Sequence, residues 1–315
     1  MPQPFREAPW YRSVLYVPGD KLDWMLKAPK YGADALMFDL EDSVELSQKA
    51  GARSAVAKAI TELGTGPFGR FVRLNRWGTG CLLDDLNAVV IDGLDGVALA
   101  KTETPEDIAA LDLVLGELEK SRGLPVGRIE ICAHAETAQA IYRLYDICMA
   151  SQRIKRTGGA GGPTPGGDAA RSLGVQLNDA TDEGNCFGAY SVLQARAAGI
   201  IQIEGVMPAT VDDLELVRRV GERSKRMGAS FAAAIHPTHI PIINEIYSPA
   251  EDEIDEARKI VCLMAEATAR GEGAVRYKSN MLDYASVRTA LEVLKKAQAV
   301  GIDVGSVPDL QLPPT

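Results

Sequence analysis

The stretch "RTGGAGGPTPGGDAARSLG", Arg156 to Gly174, decides how this chain closes. Six of the twelve residues from Thr157 to Asp168 are glycine and two are proline, and Asp168 then opens a helical-looking run. Around it one pattern repeats. Apolar runs at 13–17, 35–40, 70–75, 96–101, 129–136, 200–206 and 230–235 are each followed by a segment of helical period. Near-continuous apolar strands alternating with helices predict a parallel sheet covered by helices. Seven strands are clear, and the long gap between residues 137 and 200 contains the glycine stretch. A strand over 154–160, poor by composition, makes the eighth and closes a (β/α)8 TIM barrel. The competing fold is an open doubly wound sheet, but its GxGxxG fingerprint after the first strand is absent.

After Pro249 the pattern becomes purely helical: "EDEIDEARKIVCLMAEATARG", then "YASVRTALEVLKKAQAVG". The expected organisation is therefore a barrel over residues 1–249 and a C-terminal helical extension over 250–315, ending in a loose or docked tail, "VPDLQLPPT".

Composition narrows the function classes. The 315 residues carry a net charge of −9, which argues against a nucleic-acid surface, since such surfaces need clustered cations. The five cysteines, Cys81, Cys132, Cys148, Cys186 and Cys262, are odd in number and lack CxxC spacing, so they read as reduced thiols of a cytoplasmic protein. The N-terminus has no basic start followed by a long apolar region, so no secretory signal is expected. The chain has no apolar run long enough to predict a membrane span.

In a barrel the chemistry gathers at the carboxyl ends of the strands. The residues there are Asp39, Glu41, Asp42, Arg73, Asn75, Lys101, Glu136, Asp168, Glu204 and His236. A carboxylate ending a buried strand such as "ICAHAE" needs a partner or a metal. The glycines before Asp168 lead to an acid rather than to the lysine of a phosphate loop. They fit a rim loop whose bare backbone approaches a ligand closely. Glu136 and Asp168 end successive strands and can converge as two carboxylates of a magnesium site, completed by water and substrate oxygens. Asp168 as a plain helix N-cap explains its position equally well. Arg73 is open to two readings, a structural ion pair across the barrel top or a carboxylate-binding fork. His134 reads as a hydrogen-bonded core histidine. His236 and His239 have no third ligand nearby for zinc. Lys101 reads as electrostatic or structural rather than a Schiff base.

Six segments in order, "RSVLYVPGD", "GADALMFDLEDSV", "VRLN", "AETA", "AIHPTHIPIINEIYSP" and "GAVRYKSNMLD", resemble the citrate lyase beta-subunit-like family of the HpcH/HpaI aldolase and citrate lyase superfamily. The resemblance runs from about residue 12 to residue 297. It implies a (β/α)8 barrel, a homotrimer, and magnesium-dependent cleavage or formation of a carbon–carbon bond in malyl-, citramalyl- or citryl-CoA, or in an acyl-carrier thioester. It implies Glu136 and Asp168 as metal ligands and Arg73 as the substrate-binding arginine. It implies Asp283 as the acid–base carboxylate, offered by one subunit to its neighbour's site. Tyr16 and Lys27 fall near CoA-contacting positions. Glu41 and Asp42 are expected to hold metal-bound waters or to orient Arg73 from behind. The chain departs from the pattern in the loop, which is longer than the usual "ALFFGPEDL", in "ALAK" for "LPK", and in "IEG" for "IDG". Beside the lyase stand two other readings: a repurposed, non-catalytic metabolite-binding paralogue, and a CoA-independent pyruvate-type aldolase.

Overall fold

The computed structural model describes residues 6–159, 167–175, 185–206, 208 and 210–313. The chain divides into two compact units, Met1–Tyr247 and Ser248–Thr315.

The first unit is a closed barrel of eight parallel strands in sequence order, with β1 paired to β8 (Val14 opposite Ala233). The strands are β1 Ser13–Pro18, β2 Ala35–Asp39, β3 Gly69–Leu74, β4 Gly96–Leu99, β5 Glu130–His134, β6 Ile154–Gly158, β7 Gln202–Gly205 and β8 Phe231–Ala234. Between and after them run α1 Leu22–Lys27, α2 Lys49–Leu63, α3 Leu82–Val89, α4 Pro105–Ser121, α5 Ala138–Tyr142, α6 Leu144–Met149, α7 Asp168–Leu173, α8 Asn185–Ala197, α9 Leu214–Arg226 and α10 Ile240–Tyr247.

The period of two along each strand sorts side chains between two layers. One set, including Leu15, Leu36, Phe38, Val72, Val97, Ile131 and Ile203, packs outward with the helices in one continuous core. The alternate set, Val14, Met37, Phe71, Ala98, Cys132 and Phe231, forms a second cluster inside the barrel. The expected eighth strand is the sixth in chain order. Its composition is poor because its inward residue is Arg156, buried within the barrel. Glu130 Oε2 accepts from Arg156 Nε at 3.0 Å and from Nη2 at 2.8 Å, and Gln202 Oε1 accepts from Nη1 at 3.2 Å. The guanidinium also lies 4.5 Å from the Tyr11 ring centroid. Thus a paired cation fills a place where an apolar residue is expected.

The second unit packs α11 Glu251–Ala269 on α12 Tyr284–Ala299, with Ile254, Ala257, Val261 and Met264 against Val287, Ala290, Leu294 and Ala297. The purely helical expectation needs one correction: an antiparallel hairpin, β9 Val275–Tyr277 with β10 Asn280–Leu282, lies between the helices. Lys278 takes a left-handed φ of 53° in its two-residue turn, the conformation that such tight hairpins require. Val307, Leu310 and Leu312 pack on the helical core, so the tail is docked through residue 313. Among the described residues no helix is long and apolar enough to cross a membrane.

Candidate active site at the barrel mouth

Ionised groups from four strand ends and from α7 meet at the carboxyl end of the barrel. Asp39 closes β2 and faces Arg73 of β3 in register. Arg73 Nε donates to Asp39 Oδ1 at 2.7 Å, and Nη2 to Oδ2 at 2.6 Å. The backbone N–H groups of Glu41 and Ser43 donate to the same carboxylate, at 2.9 and 3.2 Å. Burial works to raise the Asp39 pKa, but these donors, Arg73 foremost, hold it below its ordinary value. The Arg73 guanidinium carbon lies 5.1 Å from the Tyr16 ring centroid, and Nη1 lies 3.4 Å from Glu41 Oε2.

Lys101 stands two residues beyond β4 with a φ of 50°. Its ammonium reaches Glu41 Oε1 at 2.6 Å, Asp42 Oδ2 at 2.9 Å and Asp168 Oδ2 at 3.3 Å. Burial works to lower its pKa, and Glu41 and Asp42 raise it above the ordinary value. Asp42 is 63% exposed and points to Lys101. Among the described residues no ion pair joins Asp42 to Arg73; Asp39 pairs with Arg73, and Glu41 touches both Arg73 and Lys101.

Glu136 follows β5, and Thr137 Oγ1 caps the next helix by accepting from Ala140 N–H at 3.1 Å. Burial pushes the Glu136 carboxyl up, while His134, Arg73 and Lys101 hold it below the ordinary value. His134 Nδ1 is 3.6 Å from Glu136 Oε1, beyond hydrogen-bond length. His134 Nε2 lies 3.5 Å from the Tyr16 hydroxyl. Glu204 of β7 completes this inner group. Its Oε2 accepts from Gly159 N–H at 3.2 Å, and burial raises its pKa.

The first two glycines of the loop have a physical reason. A Cβ at Gly158 would fall 2.4 Å from His134 Nε2 and 2.7 Å from Glu204 Oε2. Gly159 has a φ of +64°, and its Cβ would fall 2.8 Å from Glu136 Cγ. Bare backbone thus leaves room for two carboxylates and an imidazole. Of the other four loop glycines, Gly161, Gly162 and Gly166 lie outside the described residues, and Gly167 precedes α7.

Asp168 is the first residue of α7; Gly167 occupies the N-cap and no side chain caps the helix. The N-cap reading of Asp168 is therefore set aside. Its carboxylate faces Lys101 and Arg171 instead. Lys27 is exposed in the last turn of α1, whereas Tyr16 reaches into the barrel, so these two expected CoA contacts face different surroundings. In the second unit Asp283 is the N-cap of α12. Its Oδ1 accepts from Ala285 N–H at 3.0 Å and Ser286 N–H at 3.1 Å, which hold its pKa below the ordinary value.

At the mouth three cations, Arg73, Lys101 and Arg171, face five carboxylates, Asp39, Glu41, Asp42, Glu136 and Asp168. Glu204 and His134 lie just inside, and the acids outnumber the cations, the kind of excess a divalent cation offsets. Among the described residues no group of three or more His, Cys, Asp or Glu side chains is arranged to hold a metal ion. The donor set fits a hard cation that takes one or two carboxylates and completes its shell with substrate and water, as magnesium does. Two roles escaped the sequence reading: Asp39 as the bidentate partner of Arg73, and Lys101 as a link between loops. The signal for the first was available, since an acid ending one strand and an arginine at the matching place on the next predict a cross-strand pair.

The HpcH/HpaI aldolase/citrate lyase family matches residues 12–237. The citrate lyase subunit beta of Escherichia coli K12 is 32% identical over 292 residues, spanning 92% of this chain and 94% of that one. The L-malyl-CoA/beta-methylmalyl-CoA lyase of Cereibacter sphaeroides (strain ATCC 17029 / ATH 2.4.9) is 30% identical over 319 aligned positions, spanning 95% and 98%. Among solved structures, a citrate lyase from Burkholderia xenovorans LB400 shares the fold with a TM-score of 0.78 at 19% identity, covering 98% of this chain and 96% of that one. CitE from Mycobacterium tuberculosis, in complex with magnesium, acetoacetate and coenzyme A, has a TM-score of 0.69 at 23% identity, covering 92% and 99%. This chain belongs to the HpcH/HpaI aldolase/citrate lyase family of carbon–carbon lyases.

Proposed function

We propose that this protein cleaves, or in reverse forms, the bond between the hydroxylated carbon and the α-carbon of a 3-hydroxyacyl thioester of the malyl, citramalyl or citryl type, with magnesium held by Glu136 and Asp168. The observation that carries the reading is the mouth itself, where bare backbone at Gly159 makes room for Glu136 and bare backbone at Gly158 for His134 and Glu204. The names of the relatives, citrate lyase subunit beta and L-malyl-CoA/beta-methylmalyl-CoA lyase, support it, as does the CitE structure holding magnesium and coenzyme A.

Bound magnesium supplies Lewis-acid chemistry and a template for the substrate's oxygens. The chain's own residues do the rest. Cleavage leaves an enolate whose charge needs preorganised positive groups. Arg73 is such a group, and Asp39 fixes its plane through Nε and Nη2. Its Nη1, held less closely at 3.4 Å from Glu41 Oε2, is the nitrogen proposed to meet a substrate carboxylate or the enolate oxygen. Asp283, a carboxylate held low in pKa, moves the proton on or off the α-carbon. Each subunit of a homotrimer offers Asp283 to its neighbour. A panel of malyl-, citramalyl- and citryl-CoA, assayed for acetyl-CoA release with magnesium, tests the reading. Turnover of one member that stops in excess chelator is expected; full turnover in chelator overturns the magnesium role, and no turnover of any member overturns the substrate class.

A further inference from the structure

Lys101 is used by no step above, yet its place is unusual. Among the described residues two non-glycine positions have a positive φ, Lys101 and Lys278. Lys278 is explained by its hairpin turn. Lys101 sits in the turn that leaves β4, with no hairpin around it, and non-glycine side chains held in the left-handed region are found disproportionately at functional sites. Its ammonium touches Glu41 and Asp42, which follow β2, and Asp168, which opens α7 after β6. One cation thus joins two loops that the barrel itself leaves separate. Gly167, just before Asp168, has no side chain, and no side chain caps α7. The other cation on Asp168, Arg171, is 81% exposed and contributes little in water. Behind α7, Ser172 Oγ accepts from Ala138 N–H at 2.9 Å, which anchors the helix but not the Asp168 side chain.

We propose that Lys101 is a positioning residue for the divalent cation: it holds Asp168 against Glu41 and Asp42 so that the second carboxylate is already in place when the cation arrives. This rests on the reading that Glu136 and Asp168 bind that cation. The alternative is that Lys101 merely neutralises crowded acids. The two differ in sign. Removing a neutralising charge beside a cation site should tighten divalent binding, because an opposing cation is gone. Removing a positioning group should weaken it, as loss of residues that orient metal ligands typically costs about 10- to 100-fold in affinity.

The test is Mn2+ binding to the purified full chain, by electron paramagnetic resonance or calorimetry, for the wild type, Lys101→Met, Lys101→Gln, Lys101→Arg, Glu136→Gln and Asp168→Asn. Lys101→Gln removes the charge and shortens the reach while keeping a polar side chain, and serves if the methionine variant does not fold. Weakening of about tenfold or more is expected in both neutral variants, with most of it recovered in Lys101→Arg. Amide hydrogen exchange over residues 167–175 should rise in the metal-free neutral variants while the strands stay protected. Unchanged or tighter Mn2+ binding in a folded neutral variant overturns the positioning role. If Glu136→Gln and Asp168→Asn bind Mn2+ as the wild type does, the metal assignment has failed, and the role of Lys101 falls with it.

Discussion

Asp39 and Arg73 face each other across adjacent parallel strands and share two hydrogen bonds, of 2.7 and 2.6 Å, at the mouth of the barrel. Asp39 is 2% exposed, so the pair is an orienting device shielded from water. It commits the Nε–Nη2 edge of the guanidinium, while Nη1 lies 3.4 Å from Glu41 Oε2. A lysine at position 73 keeps the charge but loses the fork. Arg73→Lys is expected to lower kcat/KM by about 2–4 kcal/mol of transition-state stabilisation, comparable to losing one oxyanion donor. Near-normal turnover in steady-state assays would return Arg73 to a purely structural role.

Glu136 lies just beyond the end of β5, at the rim, so removing its charge should spare the fold. Glu136→Gln is expected to lower turnover by orders of magnitude and to leave the melting temperature within a few degrees of wild type. A variant that loses activity only because it melts would show the opposite pattern, and calorimetry separates the two.

Glu204 gives a pH signature. Burial raises its folded pKa above the ordinary 4.5, so the folded state holds the proton more tightly than the unfolded chain does. Its contribution is full below the unfolded value and is lost as pH rises through the folded one. Glu204→Gln is neutral at every pH and its amide oxygen can still accept from Gly159 N–H. The variant should melt above wild type near neutral pH, with the difference shrinking below about pH 4. A difference that does not change with pH would mean that Glu204 is not charged at a cost in the folded protein.

Asp283 combines a cap with the proposed proton transfer, and substitution can separate them. Asparagine caps a helix about as well as aspartate, whereas alanine costs about 0.5–2 kcal/mol. Asp283→Asn should therefore keep wild-type stability and lose most activity, while Asp283→Ala loses both. Retained activity in the asparagine variant sinks the acid–base role.

Sharing of the site between subunits has its own test. Asp283→Asn and Glu136→Gln, unfolded and refolded together, should recover part of the wild-type activity, because some interfaces pair two intact halves. If verified mixed oligomers show none while wild type refolded in parallel recovers, Asp283 serves its own subunit or does no chemistry.

The sequence by itself determined the barrel, because alternating apolar strands and helical segments have few ways to bury both faces of a parallel sheet. It also determined which acids and bases collect at the mouth, since strand polarity places every strand end at one rim. Even the weak strand at 154–158 was legible from the gap it had to fill, though not the buried Arg156–Glu130 pair that makes its composition poor. Only the tertiary structure decided who pairs with whom. That Asp39 rather than Asp42 holds Arg73, and that Lys101 reaches Asp168, depends on strand register and on a single left-handed φ. Local pattern does not encode these contacts: Lys101 and Asp168 are distant in sequence, and closure of the barrel brings them within 3.3 Å.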